Sequence, residues 1–221
     1  PARAKKIADK LDNAVCLAQN REYHSYSGTW KGVPVTVTSH GVGEGGAVIG
    51  FESLCRAGAK VIIRVGTCGG MQKEITEGSL VVVKAACRED GVTEKMLPLS
   101  YPAVADVEVI EALKQSAEES GVPVHSGIVL TQALFYPGLL ESTVRLYMKA
   151  GVIAMENEVA GLLVVASLQG VKAGAILAAD APAFELVGVD GYQPDPAMLA
   201  KAVEQEIEIA LDAVIKVEID S

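Results

Sequence analysis

An arginine interrupts an apolar segment of this chain that is otherwise typical of a buried strand. Residues 61–65 read VIIRV, and GTCG follows at 66–69. Burying a guanidinium without a partner is costly, so Arg64 must meet either a carboxylate or a bound anion. A hydroxyl such as that of Thr67, together with backbone amides at the carboxyl end of a strand, suits phosphate. We therefore interpret Arg64 and Thr67 as an anion site, with an internal salt bridge of Arg64 as the alternative.

A glycine-rich turn, SHGVGEGGA at 39–47, joins a predicted strand to a predicted helix. Such a turn lets a ligand approach the backbone closely and directs the amides of a helix N-terminus at an anion. The turn contains a GxGxxG pattern, but no acidic residue ends a second strand about twenty residues further on, as the dinucleotide fingerprint requires. From the residues alone, a ligand-binding turn and a tight turn without a ligand both remain open.

Carboxylates stand at two further junctions between strands and helices. Glu156 and Glu158 precede an apolar helix in the segment AMENEVAG at 154–161, where a glutamate either caps the helix or binds sugar hydroxyls. Asp180 ends an apolar strand, where it either forms a turn or, being partly desolvated, retains the proton that a general acid needs. Cys68 has no histidine partner in an evident motif, so we interpret it as a small pocket-lining residue rather than a nucleophile.

The elements that must position these residues alternate along the chain, because short β-branched runs are separated by longer amphipathic stretches and by Gly or Pro. We predict strands at 35–39, 61–65, 80–86, 126–130 and 175–179, and helices at 4–11, 47–57, 106–120, 140–150, 158–169 and 196–217. The central strands are apolar on both faces, as strands covered by helices are. The pattern predicts one α/β domain over residues 1–221. The segment 182–196 mixes Pro, Gly and Asp, which is typical of a mobile loop at the mouth of a site.

Composition excludes several classes of protein. The 221 residues include 19 basic and 28 acidic ones, for a net charge of −9, so a protein that grips a nucleic-acid backbone is excluded. The four cysteines and three histidines lack zinc-ligand spacing, so we expect no metal and a reducing, cytoplasmic setting. No apolar run approaches the ~20 residues of a membrane span. The chain opens without an initiator Met or an export signal, and we expect residues to be missing before Pro1.

Spaced motifs cover nearly the whole chain in a fixed order. They are PAR at 1–3, NREY at 20–23, GTWKG at 28–32, SHGVG at 39–43, AKVIIRVGTCG at 59–69, CRED at 87–90, YPAVAD at 101–106 and FYPG at 135–138. Together they resemble the nucleoside phosphorylase family, which includes purine nucleoside phosphorylases and uridine phosphorylases. Within the family, the chain is most similar to the apicomplexan type of purine nucleoside phosphorylase. The resemblance implies a single α/β domain with a central mixed β-sheet, partly barrel-like and flanked by helices.

The resemblance also implies a role for each matching residue. It assigns Arg3, Arg21, Arg64 and Thr67 to phosphate, Glu158 and Asn157 to ribose, Val42, Cys68, Gly69 and Phe135 to the base, and Asp180 to the general acid. The implied reaction is reversible phosphorolysis of purine (2′-deoxy)ribonucleosides such as inosine, with phosphate as co-substrate and no other cofactor. Arg21 would serve the neighbouring subunit's site, which implies a homo-oligomer built from dimers, such as a hexamer.

Departures from the family pattern leave alternatives open. Asn157 replaces the family's methionine between two glutamates, so a non-catalytic nucleoside-binding protein of the same fold remains an alternative. A uridine phosphorylase is the nearest rival, because GTCG and YPAVAD resemble that branch as well. The stretch 139–150 after FYPG is too short for the Gln/Arg-bearing insertion of the uridine enzymes, and they lack an acid at the position of Asp180. A nucleosidase would use water and would not need the set of arginines.

Overall fold

The computed structural model of the chain describes residues 1–136, 138–182 and 195–219. The helices of these residues are Ala2–Ala8 (α1), Glu44–Arg56 (α2), Val107–Glu119 (α3), Val144–Lys149 (α4), Val159–Gln169 (α5) and Pro196–Val214 (α6), with a 3-10 turn at Thr93–Lys95. The strands are Asp12–Asn20 (β1), Tyr23–Trp30 (β2), Val33–Thr38 (β3), Val61–Gly70 (β4), Leu80–Glu89 (β5), Ala103–Val104 (β6), Val124–Gln132 (β7), Ala154–Glu156 (β8) and Lys172–Pro182 (β9).

Strands β4 to β9 form a mixed sheet that curls into a partial barrel. The strand order is β6-β5-β7-β8-β4-β9, and β5 also pairs with β9, which joins the two ends of the sheet. Successive side chains of a strand point to opposite faces. Accordingly, Ala175 and Leu177 of β9 pack in one core cluster with α2 and α5, whereas Ile176 and Ala178 pack in another with α1, α3 and α6. Helices therefore cover both faces, and the predicted α/β class with a partly barrel-like sheet is confirmed.

Local sequence explains where the packed helices begin and end. Helix α5 is apolar all round over its buried residues 159–166, as a helix enclosed on every side must be, and it ends at Gly170 in the left-handed conformation with φ 65°. Asp106 caps α3 by accepting a 2.9 Å hydrogen bond from the amide of Glu108. Asp195 caps α6 by accepting a 2.8 Å hydrogen bond from the amide of Ala197. Each cap stabilises the start of its helix by accepting a hydrogen bond from a backbone amide there.

A separate antiparallel sheet of β1, β2 and β3 stands beside the barrel. Its strands are joined by tight turns, with φ 53° at Arg21 in the first turn and φ 50° and 83° at Lys31 and Gly32 in the second. All nine residues of β1 are exposed. The sequence predicted only β3 of this sheet, because a strand without a buried face shows no alternation of apolar and polar residues against a core.

The predicted helices and central strands are present, with differences at their ends. The helix expected at 140–150 is shortened to Val144–Lys149, and the one expected at 196–217 ends at Val214. The predicted loop at 182–196 falls on residues 183–194, which lie outside the described residues. In the described parts of the chain, no helix combines the length and the apolar character needed to cross a bilayer.

Candidate active site

A cavity of about 750 Å³ is bordered by β4, by the end of β9 and by the turn between β3 and α2. The predicted site residues that line it are Arg3, Val42, Arg64, Thr67, Phe135, Asn157, Glu158 and Asp180. Of the described lining residues, none is Arg21, Cys68 or Gly69. The fold therefore brings together predicted ligands that lie far apart in sequence, from Arg3 to Asp180. The assignment of Cys68 and Gly69 to the base stays a prediction.

Arg64 lies at the centre of a buried ion cluster. Its Nη2 donates a short hydrogen bond to Glu158 Oε2 and lies 3.5 Å from Glu156 Oε2. Burial lowers the pKa of this guanidinium, but the two carboxylates outweigh it and the net shift is upward. Among the described residues, Nε and Nη1 of Arg64 have no hydrogen-bond partner. The internal salt bridge is therefore present, and it leaves two buried donors of the guanidinium unsatisfied by the described residues.

The other predicted phosphate ligands approach Arg64 from two elements. Arg3 of α1 donates from Nη1 to the carbonyl oxygen of Val65 at 3.3 Å, and Thr67 follows on the same strand. The guanidinium of Arg64 lies directly across Gly66, where an added Cβ would come within 2.7 Å of Arg64 Cζ. Gly66 is therefore needed for the arginine to take this position. Two arginines and a hydroxyl therefore border one cavity, and their assignment to phosphate stays a prediction.

The two glutamates before α5 have different partners. Glu156 Oε1 accepts a 2.5 Å hydrogen bond from Thr131, and its Oε2 accepts from the backbone amides of Glu158 at 2.7 Å and Val159 at 2.9 Å. Glu156 thus caps the helix. Both glutamates border the cavity, but Glu158 has other partners: its Oε2 accepts from Arg64, and its Oε1 accepts a 2.6 Å hydrogen bond from the amide of Gly43. Of the two roles that the sequence left open, the helix cap therefore belongs to Glu156, two residues before Glu158, and the binding of ribose hydroxyls by Glu158 stays a prediction.

Asn157, between these glutamates, is tied to the neighbouring strand. Its Nδ2 donates a 2.6 Å hydrogen bond to the carbonyl oxygen of Gln132 at the end of β7. The side chain also lines the cavity and is half-buried. An amide is therefore held in a defined orientation beside Glu158.

Two groups near Arg64, His40 at the cavity wall and Cys68 behind it on β4, are neutral near pH 7. Burial, reinforced by Arg64, lowers the pKa of His40 to about 4, although Glu158 opposes the shift. Burial raises the pKa of Cys68 well above the usual thiol value, and the carboxyl of Asp180 acts in the same direction. A neutral thiol is a poor nucleophile, which agrees with a packing role for Cys68.

Sequence reasoning missed His40, Thr131 and Glu44 as parts of this region. His40 lines the cavity, Thr131 holds Glu156, and Glu44 is a buried carboxyl at the start of α2. The sequence did carry a signal for two of them, because His40 and Glu44 lie inside a glycine-rich turn that must pack against other elements. Arg21, by contrast, is exposed in the β1–β2 turn.

Comparison with known proteins identifies the family. The chain matches the Phosphorylase superfamily over residues 1–216. It is 39% identical over 218 residues to the purine nucleoside phosphorylase of Plasmodium falciparum (isolate 3D7), covering 98% of this chain and 88% of that protein. It is 37% identical to the uridine phosphorylase of Thermococcus kodakarensis, covering 80% and 69%. The crystal structure of Toxoplasma gondii purine nucleoside phosphorylase in complex with immucillin-H superposes with a TM-score of 0.91 at 35% identity, covering 96% and 86%.

The partial barrel of this chain is thus shared with enzymes of one class. The chain belongs to the Phosphorylase superfamily. Within it, the chain is a nucleoside phosphorylase, and therefore a pentosyltransferase.

Proposed function

We propose that the chain is a purine nucleoside phosphorylase that transfers the pentosyl group of nucleosides such as inosine to inorganic phosphate. The observation that carries the proposal is the buried guanidinium of Arg64, which lines a cavity with Asp180 and keeps Nε and Nη1 without partners among the described residues. The match to the Plasmodium purine enzyme over 98% of the chain supports purine as the base. Such an enzyme fits a role in cytoplasmic purine salvage.

In this proposal Arg64, Arg3 and Thr67 bind the phosphate dianion. A phosphate oxygen forms a bond to C1′ of the nucleoside while the bond from C1′ to the purine nitrogen breaks, and the electron pair of that bond passes to the purine. The carboxyl of Asp180 donates its proton to N7 of the departing base. Glu158 binds the ribose hydroxyls, and its negative charge stabilises the oxocarbenium-like ribosyl group. Phosphate is a co-substrate, and the reaction uses no other cofactor.

The remaining predicted ligands complete the nucleoside site. Asn157 contributes an oriented amide beside the ribose, and Phe135 presents its ring to the purine. Val42 lines the same cavity, and Cys68 and Gly69 support the base from β4. Both Val42 and Phe135 are exposed in the single chain, at 87% and 54%. Closure of this side therefore depends on the bound base or on a neighbouring subunit.

We propose that the active species is a closed homo-oligomer built from dimers, such as a hexamer. The support lies in the β1–β3 sheet, where Val15 and Leu17 of β1 are 56% and 58% exposed and Arg21 lies in an exposed turn. A second copy that covers β1 would bury these apolar side chains and bring Arg21 to the neighbouring phosphate. The partners are then a purine nucleoside, phosphate and further copies of the chain, with neither nucleic acid nor a membrane.

The proposal is tested by the release of free base from inosine and from uridine, each with and without phosphate. We expect phosphate-dependent release of hypoxanthine, with a kcat/KM for inosine well above that for uridine. Arg56→Ala is a control for the loss of the arginine at position 64, because Arg56 is exposed at the end of α2 and pairs only with Glu52 among the described residues. Faster phosphorolysis of uridine would assign the chain to the uridine phosphorylases, a candidate supported by its 37% identity to the Thermococcus enzyme.

A further inference from the structure

Glu44, the first residue of α2, is a buried carboxyl outside the proposed chemistry. It is 4% exposed, and its Oε1 accepts a short hydrogen bond from the amide of Gly161 in α5. In the described structure, Oε2 of Glu44 is buried without a hydrogen-bond partner. A Cβ added to Gly161 would lie 2.5 Å from Cδ of Glu44 and 2.7 Å from both of its carboxyl oxygens. The close approach of α2 to α5 therefore requires glycine on one side and accommodates the glutamate on the other.

The charged groups that face Glu44 are mostly negative. They are Glu156 of β8, Glu158 at the start of α5, Asp90 after β5 and the guanidinium of Arg64 on β4. Burial raises the pKa of Glu44 to about 9, the three carboxylates act in the same direction, and the hydrogen bond from Gly161 opposes them. Glu44 is therefore a neutral carboxylic acid at pH 7. One negative charge fewer remains beside Arg64.

Glu44 is coupled to the cavity through the residue before it. Gly43 has φ 92°, in the left-handed region that favours glycine, and its amide donates a 2.6 Å hydrogen bond to Glu158 Oε1. Two consecutive residues of the glycine-rich turn are thus attached to α5, Gly43 to Glu158 and Glu44 to Gly161. Loosening the second attachment would displace the first, and Glu158 is also the carboxylate that holds Arg64.

We propose that Glu44 is a positioning residue that, as a neutral acid, fixes the glycine-rich turn against α5 and keeps Arg64 available to phosphate. The inference rests on the proposed function, because it names phosphate as the anion at Arg64. Ionisation of Glu44 adds a negative charge that both attracts Arg64 and repels the phosphate dianion. Phosphate affinity should therefore fall at high pH in a way that depends on this side chain.

The test compares the wild-type chain with Glu44→Gln, Glu44→Ala and the control Glu52→Gln on the same helix. Calorimetry gives the Kd for inorganic phosphate at about pH 7.5 and about pH 10. Gln keeps an acceptor for Gly161 and cannot ionise, so we expect its Kd to stay within about threefold of wild type at the lower pH. At the higher pH, the wild-type Kd should exceed that of Glu44→Gln by about tenfold. This is the order of magnitude expected when one negative charge is added close to a bound anion. Glu44→Ala should weaken phosphate at both pH values.

A second readout does not depend on phosphate. The native state holds the Glu44 proton up to about pH 9 and the unfolded chain does not, so wild-type stability should fall with rising pH relative to Glu44→Gln and level off above about pH 9. Equal pH profiles of Tm for these two proteins would overturn the neutral acid, and equal profiles of Kd would overturn the positioning role.

The two proposals fail in different ways. Phosphate binding without phosphorolysis of any nucleoside would remove the proposed function, while the difference in Kd between wild type and Glu44→Gln would still decide the role of Glu44. A wild-type chain that does not bind phosphate at either pH would overturn both.

Discussion

Two arginines proposed for one phosphate lie in opposite settings. The side chain of Arg64 is 6% exposed on a barrel strand and is held by Glu158, whereas Arg21 is exposed, with φ 53°, in the turn that follows β1, a strand without a buried residue. The barrel positions its arginine with contacts from the same chain. The turn between β1 and β2 places Arg21 where it would contact a molecule that covers β1. In the proposed enzyme, one half of the phosphate site is thus preorganised within a subunit, and the other half depends on assembly.

The largest effect is expected on the barrel side, from Asp180→Asn. An amide cannot supply the proton that the departing purine needs, so kcat for inosine should fall by about 10²-fold or more. Steady-state phosphorolysis measures the effect, and Asp9→Asn, at an exposed position just after α1, is the control. Unchanged turnover at neutral pH would remove Asp180 from the role of general acid.

Arg64→Ala should come next. The variant loses the buried phosphate donors and leaves Glu156 and Glu158 without their cation, so the KM for phosphate should rise by about 50-fold and far more than the KM for inosine. Circular dichroism and Tm establish that the variant is folded. If both substrates weaken equally, Arg64 is an internal salt-bridge residue only.

The dependence on assembly is tested by Arg21→Ala, for which we expect a fall in kcat/KM for phosphate of about 30-fold. Mixing this variant with Asp180→Asn after dissociation and reassembly creates dimers in which one site carries both changes and the other carries neither. Random exchange should then restore about a quarter of the wild-type activity, because half of the dimers are mixed and each has one intact site. No recovery despite verified exchange would place Arg21 in its own subunit's site or in none.

The smallest effect is expected from Gly66→Ala, which keeps every charge. The new methyl group would overlap the guanidinium of Arg64, so the side chain must move and the Kd for phosphate should rise by about tenfold. Calorimetry with phosphate and the KM for inosine separate this change from general misfolding. An unaltered Kd would show that the position of Arg64 on Gly66 is not the one used for phosphate.

The sequence by itself determined the barrel side of this comparison. Strands β4, β5, β7 and β9 and the helices around them carry their periodicity locally, because burial on one or both faces requires apolar residues at regular spacing. The candidate functional residues of this side can also be recognised in the sequence. Arg64 lies within an apolar run and Asp180 at the end of one, where a buried charge costs free energy unless it has a partner. The family motifs that surround them could be found without any coordinates.

Only the tertiary structure revealed strands β1 and β2 and the different roles of the buried glutamates. Strand β1 escaped prediction because its own chain buries none of its residues, and β2 because Tyr26 is its one fully buried residue, so neither strand shows a regular apolar alternation. Glu156 and Glu158 stand two residues apart and look alike in sequence. Thr131 of β7 fixes the other oxygen of the Glu156 carboxylate that caps α5. Burial against α5, beside the carboxylates of Glu156, Glu158 and Asp90, is what turns Glu44 from an ordinary helix-start glutamate into a neutral acid. Such roles depend on distances between remote residues, which local sequence does not contain.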